Sequence, residues 1–120
     1  MLLNIGKEYI TLRIGSDISS PVNFAIGTGS GTILASRTTM FNESDRQVFT
    51  GGSIDFSTTN KLTFQSNWNS VEMSGTLLSE IAIVDVSTAN TGSVWSLNVI
   101  PTLTFDGTNE LQTEETWFIY

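Results

Sequence analysis

The chain contains no histidine and no cysteine. Histidine is the side chain most used for acid–base work near neutral pH, and the cysteine thiolate is the strongest side-chain nucleophile. An enzyme built on this sequence would have to run on Asp, Glu, Ser, Thr, Tyr or Lys, as glycosidases with two carboxylates do. The double absence moves the expectation toward binding or structural work, and no enzymatic activity is assigned. It also removes disulfides and Cys/His zinc sites, and it fits folding in a reducing compartment.

Basic charge is scarce and one-sided. All five basic residues, Lys7, Arg13, Arg37, Arg46 and Lys61, lie in the first 61 positions, where Glu8, Asp17, Glu43, Asp45 and Asp55 balance them. Residues 62–120 carry seven acids and no base, so the net charge of −7 belongs to the second half. Such a field repels phosphate and anionic lipid, and neither nucleic acid nor a bare membrane is an expected partner. Long apolar runs are missing as well. The stretch Ile81 to Val86 is interrupted by Asp85 and is far too short to cross a bilayer. Met1-Leu2-Leu3-Asn4-Ile5-Gly6 has neither the basic start nor the apolar length of a signal peptide, and a soluble chain is expected.

What is present reads as strands and turns. Ile10, Leu12 and Ile14 alternate with Tyr9, Thr11 and Arg13, and Leu62, Phe64 and Trp68 alternate with Thr63, Gln65 and Asn67. That is the period of a sheet with one buried face. The same pattern predicts strands near 22–27, 47–50, 53–57, 94–100, 102–105 and 111–119, divided by Gly, Asn, Ser and Thr clusters. Ile81 to Val86 is apolar on both sides of the alternation, which predicts a central strand at the middle of the core. Leu34 to Arg46 lacks an apolar stripe and is expected to be a long loop. Pro21 suits a strand start, and Pro101 a strand edge or bulge. A single domain over residues 1–120 is expected, with 1–6 as an extended arm. About nine short strands imply an all-β fold, an antiparallel β-sandwich of jelly-roll type.

Motifs for chemistry fail on inspection. Gly27-Thr28-Gly29-Ser30-Gly31 has Thr32 where a dinucleotide fingerprint needs its third glycine, and no Gly-Lys-Ser/Thr follows for a P-loop. Glycines that allow positive φ in a turn are the favoured explanation. The acids Glu43 with Asp45, and Glu110 with Glu114 and Glu115, match no calcium loop, and Glu114 and Glu115 point to opposite faces of one strand. No metal or cofactor is expected. Asn42-Glu43-Ser44 is a formal glycosylation sequon without a secretory context. Trp68, Trp95 and Trp117 could suggest a sugar platform, but Trp68 and Trp95 keep register with apolar neighbours, and core packing is favoured for both.

The order of several short phrases carries more. Ile26-Gly27-Thr28-Gly29, then Phe41-Asn42-Glu43 with Arg46, then Lys61-Leu62-Thr63-Phe64, then Gly75-Thr76 leading to Glu80-Ile81-Ala82-Ile83 resembles small β-rich virion structural proteins of tailed bacteriophages. The likeness covers roughly residues 22–120. Ala82 stands where that group commonly has glycine, and Gly31-Thr32-Ile33 replaces a loop that commonly contains proline. The resemblance implies a non-enzymatic head decoration or cement subunit, made in the host cytoplasm and carried in the virion. A tail, collar or fibre component is the alternative, and a carbohydrate-binding module the alternative of another class. Its partners would be the major capsid protein or tail proteins, with a homo-oligomer allowed.

Decoration proteins work by burying surface against a repeated lattice. Met1, Leu2 and Leu3 at one end, with Trp117, Phe118 and Tyr120 at the other, are the apolar residues expected at an intersubunit contact. Glu80, on the threshold of the buried strand, needs a partner, and Arg46 is the cation expected to supply it.

Overall fold

The computed structural model describes residues 1, 3–6, 23–49, 51–55 and 61–118, with backbone alone for 51–55, 61 and 62. The chain is mostly β, folded as antiparallel strands around one interior. The elements are β1 (Asn23–Gly27), β2 (Glu43–Val48), β3 (Gly51–Asp55), β4 (Lys61–Trp68), a one-turn helix α1 (Ser70–Met73), β5 (Leu77–Val84), β6 (Val94–Thr104) and β7 (Leu111–Phe118). They form a four-stranded sheet in the order β2-β1-β5-β6 and a three-stranded sheet in the order β3-β4-β7.

Seven strands are thus described where nine were expected, and the difference has two sources. The strand expected at 9–14 lies outside the described residues, as does Pro21. The pair expected at 94–100 and 102–105 is one strand, β6, because Pro101 sits in a bulge of an edge strand and does not end it. Three residues of β5, Leu78 to Glu80, span five of β6, Leu103 back to Val99, so the missing N–H of Pro101 falls where the ladder is already interrupted. The strand expected at 47–50 begins earlier, at Glu43, and the loop expected to reach Arg46 ends with Asn42.

Both faces of the four-stranded sheet are covered. On one face Phe24, Ile26, Ile83 and Trp95 meet Trp68 and Trp117 of the other sheet in a shared apolar cluster. A chain of ring contacts runs through it: Trp95 on Trp117 at 6.3 Å, Trp117 on Phe64 at 4.8 Å, Phe64 on Phe49 at 4.9 Å, Phe49 on Phe24 at 5.4 Å and Phe24 on Trp68 at 6.5 Å. Each such pair adds about 1 kcal/mol to its area burial. On the other face Ala25, Ala82, Val84, Val94 and Leu97 receive Leu3 and Met40. Central position accounts for the wholly buried β1 and for the two-sided apolar pattern of β5, which ends at Val84 just before Asp85. The packing expected for Trp68 and Trp95 is observed.

The amino-terminal residues are an arm only in part. Met1 and Leu97 exchange backbone hydrogen bonds in both directions, Leu3 N–H donates to the Trp95 carbonyl, and residues 4–6 then turn helical. Leu3 is completely buried. The short helix α1 was not anticipated. Asn69 caps it, accepting from the Val71 and Glu72 amides at 3.0 and 2.9 Å, while Glu72 accepts from the Asn69 amide at 2.7 Å, a reciprocal capping box.

Candidate functional site

Three of the four phrases that carry the resemblance come together at one end of the four-stranded sheet, while Lys61–Phe64 lies in β4 of the other sheet. Glu80, on β5, stands opposite Gly27 of β1 and has no exposed surface. Its Oε1 accepts from the amides of Gly29 at 3.1 Å and Asn42 at 2.6 Å, and its Oε2 accepts from the Phe41 amide at 2.9 Å. Ser79 Oγ donates to the Gly29 carbonyl at 2.7 Å, Thr28 N–H donates to the Asn42 carbonyl at 3.0 Å, and Asn42 Nδ2 donates to Thr28 Oγ1 at 2.6 Å. The loop after β1 and the residues before β2 are thus clasped together by one carboxylate. Charge-assisted bonds of this kind are roughly twice as strong as neutral ones.

The expected Arg46–Glu80 ion pair is corrected by this arrangement. Arg46 belongs to Glu43: Nε donates to Oε1 at 2.6 Å and Nη2 to Oε2 at 2.7 Å, a two-pronged pair with side chains only 3% and 4% exposed. Nη1 donates to the carbonyls of Val86 at 2.6 Å and Thr91 at 3.2 Å. The physical reason lies in the register. Ile26 pairs with Asp45 and Gly27 with Glu43, so Ser44 is the extra residue of a bulge. The bulge brings Glu43 onto the same face as Arg46, three positions away, whereas Glu80 is separated from β2 by the width of β1. Glu80 finds its charge compensation in backbone dipoles instead.

The glycine phrase has the expected cause at Gly31, whose φ is +153°, and a different one at its other two glycines. Neither Gly27 nor Gly29 has positive φ. A Cβ on Gly27 would fall on the Asn42 carbonyl, and one on Gly29 on the Phe41 side chain and Glu80 Oε1. Close approach, rather than turn conformation, requires glycine here.

Several other charged side chains among the described residues also have partners within the chain. Arg37 donates through Nε to Thr39 O at 2.7 Å and through Nη2 to Met40 O at 3.1 Å, and its guanidinium lies 3.5 Å from the Phe41 ring centroid. Asp85 accepts from the Ser93 amide at 2.8 Å. Glu115 turns toward the core side, where Ser96 Oγ, Asn98 Nδ2 and Trp117 Nε1 donate to it, while Glu114 on the opposite face is exposed. A pocket of about 280 Å³ beside the Glu43–Arg46 pair is bounded by residues 38–43, 90–92 and 94, and the charges on its wall satisfy each other. Asp106 is fully exposed, and hydrogen bonds from the Thr108 hydroxyl and backbone amide hold its carboxyl below its ordinary value.

The residues expected at an intersubunit contact separate. Leu3 and Trp117 are core residues, Trp117 being 7% exposed, and neither is available to a partner. Leu3 fills the cluster of Ala82 and Leu97, and Trp117 stacks on Trp95. Met1 is 48% exposed and Phe118 57%. Leu2 and Tyr120 lie outside the described residues. With Trp68, Trp95 and Trp117 all buried, a sugar platform made of tryptophan is ruled out. Reasoning from sequence missed Ser79, whose hydroxyl closes the clasp, and the Asn69–Glu72 box; for the latter the Asn-x-x-Glu spacing was a readable signal. Comparison with protein-family models, with curated proteins and with solved structures finds no match to this chain.

Proposed function

We propose that the chain is a non-enzymatic structural subunit of a tailed-bacteriophage virion, in the first instance a head decoration or cement protein that binds the major capsid protein. One observation carries this reading. Gly27-Thr28-Gly29, Phe41-Asn42-Glu43 with Arg46, and Glu80, scattered over more than fifty positions of sequence, meet in one hydrogen-bonded clasp. Those residues therefore specify a scaffold, which is what a shared order of phrases preserves between proteins that have no reaction in common. The clasp spends its polar groups on backbone amides and carbonyls. That use suits a rigid block that acts through its surface.

The finer architecture belongs to the same reading: the two sheets with their shared aromatic interior are taken as a β-sandwich, wound in jelly-roll fashion. A tail, collar or fibre position is the second reading within the class. The deciding experiment is cryo-electron microscopy of purified particles together with mass spectrometry of their protein content. Density for this chain at regular sites on the head supports the cement role, density on the tail supports the second reading, and absence from particles overturns both.

A further inference from the structure

The pocket beside the Glu43–Arg46 pair opens between the residues before β2 and the loop from β5 to β6, and charged side chains fix both of its walls. Arg46 donates to the Val86 and Thr91 carbonyls, and Glu43 accepts from the Asn90 amide at 3.2 Å, which holds the β5–β6 loop. On the other side Arg37 holds the Thr39 and Met40 carbonyls, and Glu80 the Phe41 and Asn42 amides. The hollow is therefore pre-formed, as ligand sites usually are. Its rim is exposed and polar. Among the described residues, no hydrogen bond engages the hydroxyls of Thr38 and Thr39 or the side-chain amide of Asn90. Asn90 is also the one non-glycine residue with positive φ among those described, at +57°. Glycine takes that conformation at less cost, and residues held in it recur at ligand clamps.

We propose that this pocket binds a single neutral sugar unit, a role beyond the structural one and independent of it. Charge selects the class of occupant. Among the described residues, Glu43 and Arg46 stand in the wall, and Arg37 and Asp85 beside it, two of each sign. An anion would meet Arg46 already paired with Glu43, and no cluster of acids that could hold a metal ion is present among the described residues. Size selects within the class. The volume of about 280 Å³ lies just under the range of about 300–1,000 Å³ for drug-sized ligands, and at about 30 Å³ each it equals about nine waters. That is the scale of one ring, not of a chain. Sugar hydroxyls both donate and accept, as do the hydroxyls of Thr38 and Thr39 and the amide of Asn90. Arg46 gives four hydrogen bonds with its five N–H groups, so one Nη2–H remains for a ligand oxygen. Met40 and Val94, both buried, form the apolar side against which the C–H groups of the ring pack.

The test is a series of amide NMR titrations of the full chain with the methyl glycosides of glucose, galactose, mannose and N-acetylglucosamine, and with inorganic phosphate and acetamide as competing occupants. The proposal expects one of the glycosides to move the Thr38, Thr39, Asn90 and Thr91 resonances to saturation. Thr39→Val and Asn90→Gly should each weaken that binding about three- to tenfold, the worth of a hydrogen bond, and Val71→Ala, on the distant helix α1, should leave it unchanged. Melting temperatures of all three variants should stay close to the parent's, since each side chain is exposed and glycine accepts the φ of Asn90. This separates lost binding from lost folding. The proposal is overturned if no glycoside moves these resonances, or if binding is indifferent to both pocket substitutions. Saturation by phosphate or by acetamide at lower concentration than any glycoside would also overturn it, by assigning the pocket to an anion or to an amide side chain of a protein partner. Particle location bears only on the structural role, so either reading can fail alone.

Discussion

A carboxylate with no exposed surface, such as Glu80, is tolerable only where its lone pairs are filled, because burying an uncompensated charge costs several kcal/mol. Three backbone amides fill them here. Truncating the side chain leaves those amides buried without acceptors, at about 1–3 kcal/mol for each group. Glu80→Ala is therefore expected to destabilise by about 3 kcal/mol or more, read as a lowered midpoint with unchanged slope in urea unfolding. The partner assignment has its own measurement: a double-mutant cycle of Arg46→Ala with Glu43→Ala should give a coupling above about 1 kcal/mol, and the cycle with Glu80→Ala a smaller one. Equal couplings would restore Glu80 as the partner of Arg46. Asp106 offers a pH-dependent test. Its folded pKa is depressed by the Thr108 hydroxyl and amide, so its contribution is full above the ordinary value of 3.8 and is lost as pH falls through the lower folded value. The Thr108 amide resonance should titrate with a midpoint below 3.8, and a midpoint at or above it would remove the turn's charge-assisted bonds.

At the scale of elements, β6 shows how an exposed edge is managed. Edge strands present unpaired N–H and C=O groups that invite association, and here Met1 and Leu3 cover part of that edge in antiparallel fashion while Leu3 plugs the cluster beneath. Leu3→Ala should cost about 2–5 kcal/mol, the range for a leucine emptied from a core, and should speed hydrogen exchange of the Leu97 amide, which bonds the Met1 carbonyl. A loss within about 0.5 kcal/mol, typical of surface changes, would mean that the arm is not part of the core. The alternation at Leu62–Trp68 and the two-sided apolar run of β5 were legible from sequence, because strand periodicity and burial are local properties. The extension of β6 through Pro101 was not, because only the register with β5 shows that the ladder is already broken there. The clasp was half legible. Its phrases stood out in order, but Glu80 was paired with the wrong residue: a bulge at Ser44 decides which side chains of β2 share a face, and a bulge leaves no mark in composition. Ala82 was legible in size alone; it is fully buried opposite Ala25, where a larger side chain would push against the plug of Leu3.

For the molecule as a whole, the end of β7 divides folding from association. Trp117 and Phe118 are adjacent, so they point to opposite faces: Trp117 stacks on Trp95 and packs edge-on against Phe64 in the interior, and Phe118 stands 57% exposed on the other side. Removing both residues would confound the two roles, since loss of Trp117 opens the core that joins the sheets. Single substitutions separate them. Trp117→Ala should destabilise the isolated chain by about 3–5 kcal/mol, with the β-dominated circular dichroism spectrum lost at a lower denaturant concentration. Phe118→Ala removes a ring that is more than half exposed, should destabilise far less than Trp117→Ala and should keep that spectrum, so a change it causes in self-association or particle occupancy is read on a folded chain. If Phe118→Ala unfolds the chain as readily as Trp117→Ala does, both faces of β7 belong to the interior, and the outward face loses its claim to any partner.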